Sequence, residues 1–235
     1  MGKNITQQRQ GKGSPVFKKP SFRFAGKVEY QKGNSYVVQD IIKCPIHTAP
    51  LVQVKYDSGE EGHLIAPEGI SVGEQKTLGE GPVEIGNVLA LKDIPEGVTI
   101  FNIESHPGDG GKFVRASGLS ARIVGKTAQE IRVLLPSRVE KIFNPDCRAT
   151  IGTTAGSGRP EKPFLKAGNK YHLTRAKHQY WPSVSGTSKN AVSHPYGKGR
   201  SSKKGRPTIA PAHAPPGRKV GKIRPRQTGR GGKKS

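Results

Sequence analysis

Few residue patterns in this sequence have the composition that catalysis or ligand chemistry needs. Two glycine-rich stretches look like phosphate cradles: Gly108-Asp109-Gly110-Gly111-Lys112 and the run GTTAGSG from Gly152 to Gly158. Neither has the G-x-x-x-x-G-K-[ST] spacing, and neither lies between a strand and a clear helix, so nucleotide hydrolysis has little support. The seven histidines (His47, His63, His106, His172, His178, His194 and His213) never fall at an H-E-x-x-H or similar metal-ligand spacing. Cys44 and Cys147 are a lone pair, which suggests neither a disulfide scaffold nor a zinc site. A Ser/His/Asp triad assembles only in space, but no G-x-S-x-G elbow is present. The expectation is therefore no catalytic residues, no metal and no cofactor.

The chemistry that the sequence does supply is cationic. From Lys166 to Ser235 there are 18 Lys/Arg and no Asp/Glu. These cations are spaced out rather than clumped, at Lys198, Arg200, Lys203, Lys204 and Arg206, then Arg218, Lys219, Lys222, Arg224, Arg226 and Arg230. Small neighbours let the backbone approach phosphates, and each Arg fork can bridge one with two parallel hydrogen bonds. His172, Tyr180, Trp181, His194 and Tyr196 add flat faces on which unpaired bases can stack.

The charge distribution shows which elements must position these groups. The 235 residues carry 40 Lys+Arg against 17 Asp+Glu, a net charge of +23, yet Ser35–Leu165 is close to neutral with 14 basic and 16 acidic side chains. Residues 1–34 carry eight basic side chains and one acidic, Glu29. A near-neutral globular middle is thus flanked by two cationic arms that need an external polyanion, usually nucleic acid. No run of about 18 apolar residues is present to cross a membrane. Met1–Gln10 has no apolar stretch of the secretory kind, so the chain is expected to be intracellular with no membrane partner.

Within the middle, short β-branched runs alternate with turn residues. Strands are expected at 35–43, 51–56, 62–65 and 76–78, then at 87–91, 99–103, 112–115, 121–126, 130–134, 139–143 and 148–153. Asp57-Ser58-Gly59 marks a tight turn, and Gly79-Glu80-Gly81-Pro82 a break. Such spacing suggests a mainly β fold of two small barrels with five or more strands each, joined near 79–86; a single irregular sandwich is the alternative. Ten Gly, seven Pro and seven Ser make a long regular helix improbable in the C-terminal arm. On composition alone, RNA binding, DNA binding and a nuclear-targeting tail all remain open.

Four longer segments narrow the choice. RATIGTTAGSGRPEKPFLKAGNK (148–170), PGDGGKFVRASG (107–118), WPSVSGTSKNAVSHPYGKG (181–199) and APPGRKVG (214–221) together resemble the universal large-ribosomal-subunit protein two family, in order and over nearly the whole chain. The opening QRQGKGSPVF and the ending TGRGGKK resemble its archaeal and eukaryotic-cytosolic branch, with length and the simple ending favouring an archaeon. The resemblance implies an OB-fold (35–82) followed by an SH3-like barrel (83–165), with a basic N-terminal extension (1–34) and an RNA-threading C-terminal extension (166–235). It also implies a structural, cytoplasmic ribosomal protein that binds large-subunit rRNA and supports subunit association and the RNA around the peptidyl transferase centre. Partners would be rRNA, neighbouring ribosomal proteins and the small subunit at an inter-subunit contact. The other reading is a DNA-binding architectural protein.

Candidate phosphate contacts near the barrels are Arg115, Arg148, Arg159, Lys162 and Lys166. Along the arm, candidate rRNA contacts are Lys170, His172, Arg175, Trp181, Arg200, Arg206, Arg218, Lys219, Arg224, Arg226 and Arg230. The family's N-x-V-x-H-P segment falls on Asn190–Pro195, which implies rRNA-binding roles for Asn190, His194 and nearby Gly197. Two departures are visible. Cys44-Pro45-Ile46-His47 stands where the family commonly has an acidic-Pro-x-Arg turn, and Ser193 replaces a frequent Asp.

Overall fold

The computed structural model describes residues 2–18, 21–197 and 207–223. Contacts divide the described residues into two compact units: 21–165, and 2–18 together with 166–197 and 207–223. The division also separates charge. Residues 20–165 carry 17 basic and 17 acidic side chains, whereas 1–19 and 166–235 together carry 23 basic and no acidic ones.

The body is mainly β. Its strands are β1 (Ser35–Ile42), β2 (Leu51–Tyr56), β3 (Glu61–Ile65), β4 (Gln75–Gly79), β5 (Val88–Ala90), β6 (Thr99–Phe101), β7 (Ala121–Lys126), β8 (Ile131–Leu134), β9 (Glu140–Phe143) and β10 (Arg148–Ile151). They hydrogen-bond in the order β3-β2-β1-β4-β5-β10-β6-β7-β8-β9. β1 is antiparallel to both β2 and β4, with a bulge between Val38 and Asp40, and β4 meets β5 in parallel. Four strands thus precede the 79–86 break and six follow it, where five or more on each side were expected.

Side chains alternate across the strands as a half-buried sheet requires. In β7 and β8, Ala121, Ile123, Ile131 and Val133 point into the core while Arg122, Val124, Arg132 and Leu134 face out. The second half of the body gathers a core around Leu89, Leu91, Ile94, Ile100, Ile103 and Phe143. The first half builds another from Tyr30, Tyr36, Val38, Val54, Leu64 and Leu78. Two cores on either side of the β4–β5 ladder are consistent with two small barrels in succession. Leu51 and Ile65 pack with Phe101 in a third cluster that joins the halves.

Two sequence expectations change here. Residues 112–115 are not a strand. Phe113 makes only an isolated bridge to Ile103, and Val114 sits at φ 54°, which breaks an extended run. Residues 21–34 pack with the body rather than with a free basic arm. Val28 is buried beside Cys44, Leu51 and Ile65, and Tyr30 lies in the first core. The Tyr30 hydroxyl donates to the Asn102 carbonyl at 2.7 Å and lies 2.7 Å from Thr150 Oγ1, and burial raises its pKa well above the ordinary phenol range. Both cysteines are free and buried; burial pushes the Cys147 thiol up to about 11.

The second unit is held by a small apolar cluster of Ile5, Tyr196 and Val220. It contains a short helix α1 (Thr6–Gly11) and a longer one, α2 (Ala167–Ala176). No described helix is long and apolar enough to cross a membrane.

Candidate nucleic-acid interface

In the body, the loop 104–118 and the segment after β10 lie against each other. The Gly118 amide donates to the Thr154 carbonyl at 2.9 Å, and the Thr154 amide donates to Leu119 at 3.1 Å. A side chain at Gly118 would run into the Ser157 backbone, which explains glycine there. Residues 117–119, at the end of one glycine-rich stretch, thus pack against residues 154–157 of the other. Gly152 and Gly156 adopt left-handed φ values of 113° and 84°, as tight turns require, whereas Gly158 does not.

A buried carboxylate organises this loop. Glu104 is fully buried, and its Oε1 accepts from Arg148 Nη2 at 2.9 Å, Arg148 Nε at 3.2 Å and the Gly110 amide at 3.1 Å. Its Oε2 accepts from the Arg148 amide at 2.9 Å and from the Gly108 amide at 3.3 Å. Arg148 also donates to the Gln31 carbonyl and lies 5.2 Å from the Tyr30 ring centroid. Asp109 closes the loop from outside, accepting from the Ser105 and Gly111 amides at 3.0 Å each. The glycine-rich stretch 108–112 is therefore a loop whose three glycine amides already serve Glu104 and Asp109.

The five candidate phosphate contacts near the barrels do not share one environment. Arg115 donates to the carbonyls of Gly111 (2.8 Å) and Val28 (3.0 Å), and burial lowers its pKa. Arg115 and Arg148 thus direct their donors inward. Arg159 is exposed, with its Nε held by the Ser117 hydroxyl, and Lys162 and Lys166 are exposed.

In the second unit, α2 has no acid in its first turn and exposes Lys170, His172 and Arg175. Lys170 Nζ lies 5.8 Å from the half-buried Trp181 ring, and Tyr180 lies 6.2 Å from Phe17 between ring centroids. His178 Nδ1 lies 2.9 Å from the Lys18 carbonyl and 3.2 Å from that of Pro15, tying the N-terminal segment to the arm.

The 186–197 loop of this unit is closely packed. The Asn190 carbonyl accepts from the Ser193 amide at 2.9 Å and the His194 amide at 3.1 Å. Gly197 fits against the Asn190 backbone where no side chain has room, and Gly186 leaves space for the His194 ring in the same way. The Tyr196 amide donates to His194 Nδ1 at 3.0 Å, so the neutral ring carries its proton on Nε2. Desolvation and then nearby Lys189 lower the His194 pKa, which keeps the ring neutral. The Tyr196 hydroxyl donates to the carbonyls of Pro207 and Val220, clamping a strand-like bridge between Ile209 and Lys222. Arg218 is exposed, and Lys219 Nζ donates to the Ala212 carbonyl at 3.2 Å.

Arg200, Arg206, Arg224, Arg226 and Arg230 lie outside the described residues. Among the described residues no group of three or more His, Cys, Asp or Glu side chains is placed to hold a metal. Sequence reading missed Glu104 and Tyr30, and it assigned no role to Lys3, Ile5 or Gln8. The available signal was faint: one apolar residue, Ile5, in an otherwise polar opening.

Fold and site define a class: a β-barrel-type body of balanced charge joined to an acid-free basic unit. The comparisons give the family. The family model described as "Ribosomal Proteins L2, C-terminal domain" matches residues 84–214. Large ribosomal subunit protein uL2 of Methanothermobacter thermautotrophicus is 47% identical over 98% of this chain and 99% of its own. The uL2 proteins of Methanococcus vannielii (46%, 98% of this chain and 100% of theirs) and Methanopyrus kandleri (45%, 100% of both) are similar throughout. The chain belongs to the uL2 ribosomal protein family, in its archaeal branch.

Proposed function

We propose that this chain is a structural constituent of the large ribosomal subunit in the cytoplasm, where it binds large-subunit rRNA. One observation carries the reading: the whole net charge of +23 resides in residues 1–19 and 166–235, which hold 23 cations and no acid. Such a unit gains its order by displacing counterions from a dense phosphate array. The body is an OB-fold-like barrel extended by residues 21–34 and an SH3-like barrel ending at 165. Arg159, Lys162, Lys166, Lys170, Arg175, Arg218 and Lys219 meet phosphates, with Arg200, Arg206, Arg224, Arg226 and Arg230 continuing the same pattern in sequence. Arg115 and Arg148 fix the 104–118 loop instead. His172 and Trp181 stack on bases, and Asn190 and Gly197 shape the loop that presents His194. The role is architectural: it supports subunit association and the RNA around the peptidyl transferase centre, beside neighbouring ribosomal proteins and the small subunit.

The test is binding to large-subunit rRNA at several salt concentrations, with duplex DNA as competitor. Deleting 166–235 should weaken binding and flatten the salt dependence by about 0.7 in log–log slope for each lost single-strand phosphate contact, or about 0.9 for each duplex contact. An unchanged slope, or equal preference for DNA, would refute the reading.

A further inference from the structure

The second unit contains a cleft of about 380 Å³ whose walls come from both ends of the chain, among them Lys3, Ile5, Gln8, His194, Pro195 and Arg218. That volume falls at the lower end of small-ligand sites. The wall from the N-terminal segment is fixed, because the Lys3 amide donates to the Val192 carbonyl at 2.7 Å and Ile5 is buried against Tyr196 and Val220. Gln8 is fixed as well: its Oε1 accepts from the Ile5 amide at 2.9 Å, which leaves its amide nitrogen as a neutral donor. Gly217 passes close to this amide, where a Cβ would lie about 3.0 Å from it. On the opposite wall the His194 ring is wedged against Gly186 and its Nδ1 is occupied, so its remaining polar atom is Nε2–H.

The cleft therefore presents cations, neutral donors and apolar surface, with no acid anywhere in the unit. A lone anion would use the cations but not the Val192 and Pro195 surface. A neutral base would use that surface but leave Lys3 and Arg218 without a countercharge. A nucleotide uses both. Resting on the rRNA-binding reading above, we infer that this cleft receives one unpaired nucleotide of RNA, its phosphate at Lys3 and Arg218 and its base against Val192 and Pro195. The N-terminal segment is thus half of the His194 site, not a separate arm.

Adenosine 5′-monophosphate is the probe, titrated into the full chain while the His194 ring carbon–proton signals are followed by NMR. The expected result is a saturable shift at millimolar nucleotide, with adenosine and inorganic phosphate each at least about fivefold weaker. Lys3→Ala and Arg218→Ala, both exposed side chains, should each weaken it by roughly five- to tenfold, as loss of a charge-assisted contact implies. Lys55→Ala, an exposed cation on β2 of the body, should leave it unchanged. No shift, a shift produced equally by phosphate alone, or indifference to Lys3→Ala would overturn the inference. Any of these alongside intact, salt-dependent rRNA binding removes this site alone, whereas loss of rRNA binding by the unmodified chain removes the functional reading itself.

Discussion

Replacing Arg148 by Met separates a structural arginine from a phosphate contact. In the folded body the Arg148 side chain supplies two of the five hydrogen bonds to the fully buried Glu104, and a further one to the Gln31 carbonyl. Removing it strands a carboxylate in the interior, held only by the amides of residues 108, 110 and 148. Breaking a buried pair from one side costs about 3–5 kcal/mol. At roughly 2–4 °C per kcal/mol for a domain of this size, the melting temperature should fall by about 6–20 °C. A second change, Glu104→Leu, should recover only part of this, because the Gly108 and Gly110 amides then lose their acceptor. The assay pairs thermal unfolding by circular dichroism with the salt dependence of rRNA binding, measured well below the melting transition. The variant should melt early and keep its salt slope. If melting is unchanged while the slope drops by about 0.7–0.9, Arg148 faces phosphate, and the assignment of this loop is wrong.

Three further outcomes follow from the same structure. A fragment of residues 20–165 should unfold cooperatively as a β-rich protein, while 35–165 should be less stable by several kcal/mol. It lacks buried Val28 and Tyr30, and side chains of that size contribute about 1.5–3 kcal/mol each in a total of about 5–15; equal urea midpoints would contradict the placement of 21–34. Gly111→Ala should destabilise the body, since the residue sits at φ 93° against Asn102, and a Cβ there would lie within 2.8 Å of the Asn102 backbone carbonyl; an unchanged melting temperature would count against that packing. His194 should titrate below the ordinary imidazole value near ~6.5, as the Nε2–H tautomer, by nitrogen NMR. Because the folded state binds its proton less readily than the unfolded chain, stability is fully present above ~6.5 and is lost as pH falls below it; a raised pKa or an Nδ1–H tautomer would refute the His194–Tyr196 contact.

Local pattern alone was enough for most of the strands. β2 was legible to the residue at 51–56, because β-branched alternation ends at the Asp57-Ser58-Gly59 turn, and β7 at 121–126 followed from the same periodicity. The segregation of charge was also legible, since counting side chains needs no coordinates, and four long segments in order pointed to the family. Where each charge is directed was not legible. Arg148 and Arg115 look in sequence like Arg159, yet their acceptors, Glu104 and the Val28 carbonyl, lie 44 and 87 residues away and come near only when the sheet folds. Residues 112–115 have strand composition, but the close approach of Gly111 to Asn102 and the left-handed Val114 turn them into a loop. The N-terminal opening reads as a basic tail because its one informative residue, Ile5, gains meaning only from Tyr196 and Val220, about two hundred residues on. A side chain's type is a local property, whereas its acceptor and its neighbours are set by long-range packing, and that is what the tertiary structure decided.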